Sequence, residues 1–224
     1  MSDMGNPSAL RQSQVAQSDA RQPLPGQPIV AFDFDGTLTI RDSFTSFLRW
    51  RAGPGGWALG LVKMAPALAA YARDRDRGAI KAASVKVFLK DVSRNELQED
   101  AARFADHVWD QFIRPDALAT WEDWGRRGAY RVIVTASPEL TVAPFARRLG
   151  AEGLLGTHLT FDDQDRITGA FSSPNCRGEE KVRRLRQAFG SDMALAGAYG
   201  DTSGDTEMIA IAEVKGFRVF QQRP

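Results

Sequence analysis

Ile29-Val30-Ala31-Phe32-Asp33-Phe34-Asp35-Gly36-Thr37-Leu38-Thr39 sets an unbroken apolar run directly against two carboxylates two residues apart. Four consecutive apolar residues read as a strand buried on both faces, the signature of a parallel sheet. Asp33 ends that strand, and Gly36 lets the chain turn sharply after it. Two adjacent carboxylates repel each other, so the pair calls for a cation. Hard oxygen donors favour Mg²⁺ over a soft metal. The plainer reading of the same residues is an Asp-Gly turn closed by an Asx hydrogen bond.

Two further strands are expected downstream. Val132-Ile133-Val134 ends at Thr135, and Ala194–Tyr199 ends at Gly200-Asp201. Ligands of open α/β sheets bind beyond the carboxyl ends of the strands. Three strand ends that carry Asp33, Thr135 and Asp201 therefore suggest one shared site. Thr135, Ala136 and Ser137 could hold a phosphate oxygen through hydroxyl and backbone N–H groups. Lys181, near the start of a helix expected over 179–189, could neutralise phosphate charge, though such a lysine is usually solvated. Asp205 lies four residues after Asp201, where helix capping is the competing explanation.

Strands alternate with helices, as in a doubly wound α/β sheet. A helix is expected from Pro138 to Leu149, short strands over 153–171 with a turn at Asp162–Asp165, a helix over 205–212, and a last strand at Gly216–Phe220. The stretch between the first two strands is much longer than one crossover needs and reads as an inserted helical subdomain. Within it Gly53-Pro54-Gly55-Gly56 is expected to be a loop. Val85, Phe88 and Leu89 form one apolar stripe, and Leu97, Ala101, Phe104 and Val108 another, with a capping box at Ser93 and Glu96. Trp109, Trp121 and Trp124 are expected to pack this subdomain. The implied division is a disordered tail over 1–27, an α/β core over 28–43 and 126–224, and a helical cap over 44–125.

Composition narrows the function classes. Hydrophobic residues make up 43% and charged residues 25%, which excludes wholesale disorder. The formal net charge of +1 offers no overall basic field for nucleic acid. A single cysteine, Cys176, excludes a disulfide scaffold and a cysteine-rich zinc site. His107 and His158 stand apart from the motifs. Residues 1–28 contain no apolar core of signal-peptide length, so a cytoplasmic location is expected. Trp57–Ala72 is the nearest approach to a membrane segment, but Lys63 and Pro66 interrupt it. It reads first as cap core, with interfacial membrane contact and full insertion as alternatives. Arg49, Arg51, Lys63, Arg73, Arg75 and Arg77 around it read first as a solvated face, and alternatively as groups meeting anionic headgroups.

Taken in order, Asp33-Phe34-Asp35-Gly36-Thr37, Thr135 after its strand, Lys181 in Gly178-Glu179-Glu180-Lys181, and Gly200-Asp201 with Asp205 resemble the four motifs of the haloacid dehalogenase superfamily. The resemblance spans about residues 29–220. The helical insertion resembles a type C1 cap, as in the subgroup that contains phosphoserine phosphatase. The resemblance implies an Mg²⁺-dependent phosphomonoester hydrolase. Asp33 would be the nucleophile that forms an aspartyl-phosphate, and Asp35 the acid and base. Asp33, the Asp35 carbonyl and Asp201 would ligate Mg²⁺, with Asp205 supporting that shell. Thr135, Ala136 and Lys181 would bind the phosphoryl group, and Asp42 the rest of a small phosphorylated substrate. Gly36, Asp42 and Gly204 stand where phosphoserine phosphatases usually carry Ser, Glu and Asn. Segments such as Asp42-Ser43-Phe44 and Gly216-Phe217-Arg218-Val219 look more like the C-type phosphatidylglycerophosphatases. A membrane-surface lipid phosphatase and a non-catalytic phosphate-binding module are therefore the alternative functions.

Overall fold

The structure, a computed structural model, describes residues 22–224, so most of the tail expected over 1–27 lies outside the described residues. Five parallel strands form one sheet in the order β3-β2-β1-β6-β7. They are β1 (Ile29–Phe32), β2 (Tyr130–Pro138), β3 (Gly153–Thr157), β6 (Leu195–Gly200) and β7 (Ala212–Phe217). β4 (Leu159–Phe161) and β5 (Ile167–Phe171) form a separate antiparallel hairpin. Phe32 pairs with Ile133 on one side and Tyr199 on the other. The chain builds outward from β1 to β3, then returns to the other side of β1 as β6. The β1/β6 boundary is thus a topological switch point, where such sheets bind ligands.

The period-2 alternation of β1 explains its fully apolar sequence. Val30 and Phe32 enter one core with Trp121, Phe145 and Leu149, while Ile29 and Ala31 enter another with Val182, Leu185 and Met208. Helices α4 (Pro115–Arg126) and α5 (Glu139–Leu149) supply the first layer, and α6 (Glu179–Phe189) and α7 (Thr206–Ala210) the second. Trp121 and Trp124, expected in the cap, pack on the sheet instead. The Trp121 ring meets Phe32 edge-on at 5.1 Å, and Trp124 Nε1 donates to the Tyr199 hydroxyl at 3.0 Å. Their helical spacing marked a buried face but not its partner.

Helices α1 (Ser43–Asp74), α2 (Arg77–Phe88) and α3 (Arg94–Val108) lie between β1 and β2 in the chain. Phe44, Phe47 and Leu48 join Val85, Leu89, Leu97, Ala101 and Phe104 in one apolar cluster, as the two stripes predict. Ser93 caps α3 by accepting from Glu96 N, but the Glu96 side chain pairs with Arg51 rather than closing the box. The expected loop over 53–56 shrinks to a kink at Gly53 alone, with φ +65° and ψ 174°. Pro54 then starts the next helical segment at the position where its missing N–H costs nothing. The two chain segments leading into and out of these helices are paired. Thr39 and Ile113 form an antiparallel bridge, Ile40 N donates to Phe112 O, and Arg114 N donates to Leu38 O.

Three other boundaries moved. β2 continues past Thr135 to Pro138, with a register break against β3. α7 is shorter than expected, over Thr206–Ala210. The last strand begins at Ala212, four residues early, and Arg218 at φ +55° ends it. β7 is a sheet edge, where exposed Glu213 and Lys215 are tolerated and mask the strand pattern.

Candidate active site

The site lies at the carboxyl ends of β1, β2 and β6. Asp33 follows β1 directly and stays registered, its N–H donating to Tyr199 O at 2.9 Å. Residues Phe34–Leu38 form a wide turn, with Gly36 at φ +88°. A Cβ on Gly36 would lie 2.4 Å from Asp201 Oδ2, so this glycine permits the close approach of the two motifs. Thr37 Oγ1 sits between Asp33 Oδ2 (3.3 Å) and Asp201 Oδ1 (3.5 Å).

Lys181 comes from the first turn of α6 and is buried. Its ammonium donates to Asp33 Oδ1 (2.6 Å), Val134 O (2.6 Å) and Asp205 Oδ1 (2.7 Å), so all three N–H groups are used. Burial works against the charge, but Asp33 and Asp205 outweigh it and hold Lys181 above the usual lysine range. Asp205 accepts from Thr202 N and Oγ1 on its other oxygen. Burial disfavours its anion, yet Lys181 and Thr202 together keep it below the usual carboxylate range. Burial pushes Asp33 up to about 7 against the pull of Lys181, with Asp205 and Asp35 adding repulsion. Half-buried Asp201 is also raised, by desolvation and then by Asp205.

Asp35 is two residues from Asp33 and differently surrounded. Ser43 N donates to its Oδ1 at 2.6 Å and Ser137 Oγ to its Oδ2 at 2.5 Å, with Thr135 Oγ1 at 3.5 Å. All three donors are neutral. Burial, then the charge of Asp42, raises its proton affinity, and the two serine bonds oppose them only in part. Asp42 itself caps α1, accepting from Thr45 N at 2.6 Å, and is exposed. Ala136 contributes its carbonyl, which accepts from Lys81 Nζ and Thr157 Oγ1, both at 2.9 Å. Thr135 is buried, with its hydroxyl oxygen accepting from Ser137 N.

The fold therefore brings Asp33, Asp201 and Asp205 together, with carboxylate oxygens within 4.8 Å of one another. The Asp35 side chain is turned aside to the serines. The oxygen-only donor set fits a hard divalent cation. Within it, Asp33 and Asp201 keep lone pairs free of strong donors, whereas both Asp205 oxygens already accept.

Sequence reasoning missed Lys81. It stands in the Ala-rich stretch Gly78-Ala79-Ile80-Lys81-Ala82-Ala83 of α2, where a lone lysine resembles a solvated one. Burial lowers its proton affinity, while Asp35, Asp42 and Asp33 counteract the loss. Ser43 was also missed: its hydroxyl is buried and unpartnered among the described residues.

A family model described as haloacid dehalogenase-like hydrolase matches residues 30–210. Protein CicA of Caulobacter vibrioides is 55% identical over 196 residues, covering 88% of each chain. A phosphoserine phosphatase of Halobacterium salinarum is 28% identical over 189 residues, covering 82% of each. The crystal structure of a protein of unknown function from Bordetella pertussis has the same fold, with a TM-score of 0.70 at 24% identity over 82% of this chain and 86% of that one. A strand-end carboxylate pair, a buried lysine between two aspartates and a match across most of the chain converge: the chain belongs to the haloacid dehalogenase-like hydrolases and is a hydrolytic enzyme of that family.

Proposed function

We propose that the protein is an Mg²⁺-dependent phosphomonoester hydrolase that acts on a small phosphorylated metabolite through an aspartyl-phosphate, with α1–α3 as its cap. One observation carries this reading: Asp33 and Asp35 adjoin, yet only Asp33 touches a cation. Burial raises Asp33, and Lys181 pulls it back towards the anion, the form a nucleophile needs. Asp35, held by neutral donors in a desolvated place, favours the acid. Such a pair divides the work of nucleophile and acid.

Asp33 Oδ would attack phosphorus as the ester oxygen leaves, and Asp35 would give that oxygen its proton. Asp35 would then take a proton from the water that hydrolyses the aspartyl-phosphate, restoring both groups. Thr135, the Ala136 backbone and Lys181 would orient the phosphoryl oxygens, and Asp42 would face the rest of the substrate. Mg²⁺, held by Asp33 and Asp201 with the Asp35 carbonyl and supported by Asp205, would offset phosphoryl charge. The Halobacterium salinarum relative, a phosphoserine phosphatase, supports the reaction class.

The test is phosphate release from phosphoserine, sugar phosphates and nucleotides, with and without Mg²⁺. Metal-dependent release that disappears in Asp33→Asn is expected. Full activity in that variant would overturn the assigned nucleophile. Stoichiometric binding without turnover in metal-replete buffer would favour the phosphate-binding module.

A further inference from the structure

From Pro54 to Ala72 the chain carries a single charged side chain, Lys63. A helix of that composition is expected to be buried all round. It is not buried here, which corrects the expectation that Trp57–Ala72 is cap core. Only Gly60 and Met64 are buried, with Trp57, Ala67 and Tyr71 half-buried on the same face. The remaining arc faces water. Leu59 is 56% exposed and Val62 71%, with Leu61 and Leu68 exposed beside them and alanines between. Contiguous apolar surface of this kind marks an interaction site.

The surrounding charge identifies the partner. Residues 54–90 hold seven Lys and Arg against two Asp, a formal +5 in a chain of +1, and all but Lys81, which is turned to Ala136, are available to the outer face. Both acids are engaged, Asp74 with Arg73 and Asp76 with the first N–H groups of α2. Lys63, Lys86 and Lys90 rim a groove of about 380 Å³ between α1 and α2, floored by Met64, Ala67, Ala83 and Val87. An apolar arc bordered by cations fits an anionic lipid surface. A second copy of the chain would set this positive field against itself. No helix among the described residues is long and apolar enough to cross a membrane.

We propose that the exposed face of residues 54–72 docks on an anionic bilayer, lying in the interface plane with its apolar arc at the acyl boundary and the lysines at headgroup phosphates. The docked helix packs on α2, whose Lys81 donates to Ala136 O beside the site. The docking does not depend on the phosphatase reading, because its measurement needs no turnover.

The full chain is sedimented with vesicles of phosphatidylglycerol and, separately, of phosphatidylcholine. Binding to the anionic vesicles that weakens with added salt is expected, with little binding to the zwitterionic ones. Leu59→Ser/Val62→Ser/Leu68→Ser alters exposed side chains only; it should keep the circular dichroism spectrum and lose about tenfold or more in vesicle affinity. Lys63→Glu/Lys86→Glu/Lys90→Glu should lose anionic binding as well. The proposal is overturned if wild type ignores both vesicles, or if the serine variant binds as wild type does. It is equally overturned if wild type is a dimer in sedimentation velocity that the serine variant converts to monomer, since a second copy then covers this face.

Discussion

Lys181 and Lys81 come from different parts of the chain, and both donate to carbonyls of β2, at Val134 and Ala136. Lys181, from the α/β core, also binds Asp33 and Asp205 and has no donor left. Lys81, from the helical insertion, makes that single hydrogen bond and keeps two N–H groups free among the described residues. The difference separates two jobs. Saturated groups on the sheet side fix the position of Asp33. Lys81, on the insertion side, keeps donors available to whatever enters. A buried cation with every donor used adds little adaptability but holds geometry.

The contrast can be broken from either side. Asp33→Asn removes the group that Lys181 positions, and turnover should fall by about 10⁴-fold or more, read as initial rates of phosphate release. Lys181→Met leaves Asp33 and Asp205 buried without their cation, and should cost about 3–5 kcal/mol in urea unfolding. An unchanged unfolding midpoint would mean that the sheet side is not the rigid half. Asp35→Asn should slow turnover by about 10²–10⁴-fold. The raised proton affinity of Asp35 also sets a sign: the acid form is lost as pH rises through its folded value, so wild-type turnover declines on that alkaline side and Asp35→Asn lacks the decline. Lys81→Met should raise KM about tenfold with a smaller change in kcat, the signature of a group that binds ground state and transition state alike. The smallest effect concerns Cys176, buried with Val182 and Leu185 in the core layer under α6. Burial holds its thiol up at about 11, so alkylation of the native protein at pH 8 should be far slower than of the urea-unfolded chain. Rapid native labelling would show that this layer opens.

The strand ends were legible because burial on both faces leaves a continuous apolar run, and a carboxylate placed against it stands out. Asp33 and Asp201 stand out from that pattern, whereas Lys181 and Asp205 read alone as a solvated lysine and a helix cap and gained their place from the order of the motifs; the fold brings these four together. The insertion between β1 and β2 was legible only as helices. A single lysine in an alanine-rich turn has the same local sequence whether it faces water or a cleft, so Lys81 stayed hidden. The Trp57–Ala72 segment misled for the converse reason: apolar composition reports affinity for a nonaqueous neighbour, not that the neighbour belongs to the same chain. Trp121 and Trp124 showed a buried face, but periodicity carries no information about which layer covers it. At β7, edge exposure of Glu213 and Lys215 erased the alternation that would have marked the strand.

The paired segments at Thr39 and Ile113 bear on how such a chain diversifies. Because the chain leaves and rejoins the core through one two-stranded neck, the length of what lies beyond that neck does not alter the register of β1 against β2. Closing a longer loop adds only about 0.6 kcal/mol per doubling. The distal parts of these helices can therefore be lengthened or exchanged while β1 keeps its register, provided the Ser43 N–H on Asp35 and the Lys81 contact with Ala136 are kept, so that new specificities can arise without rebuilding the strand ends.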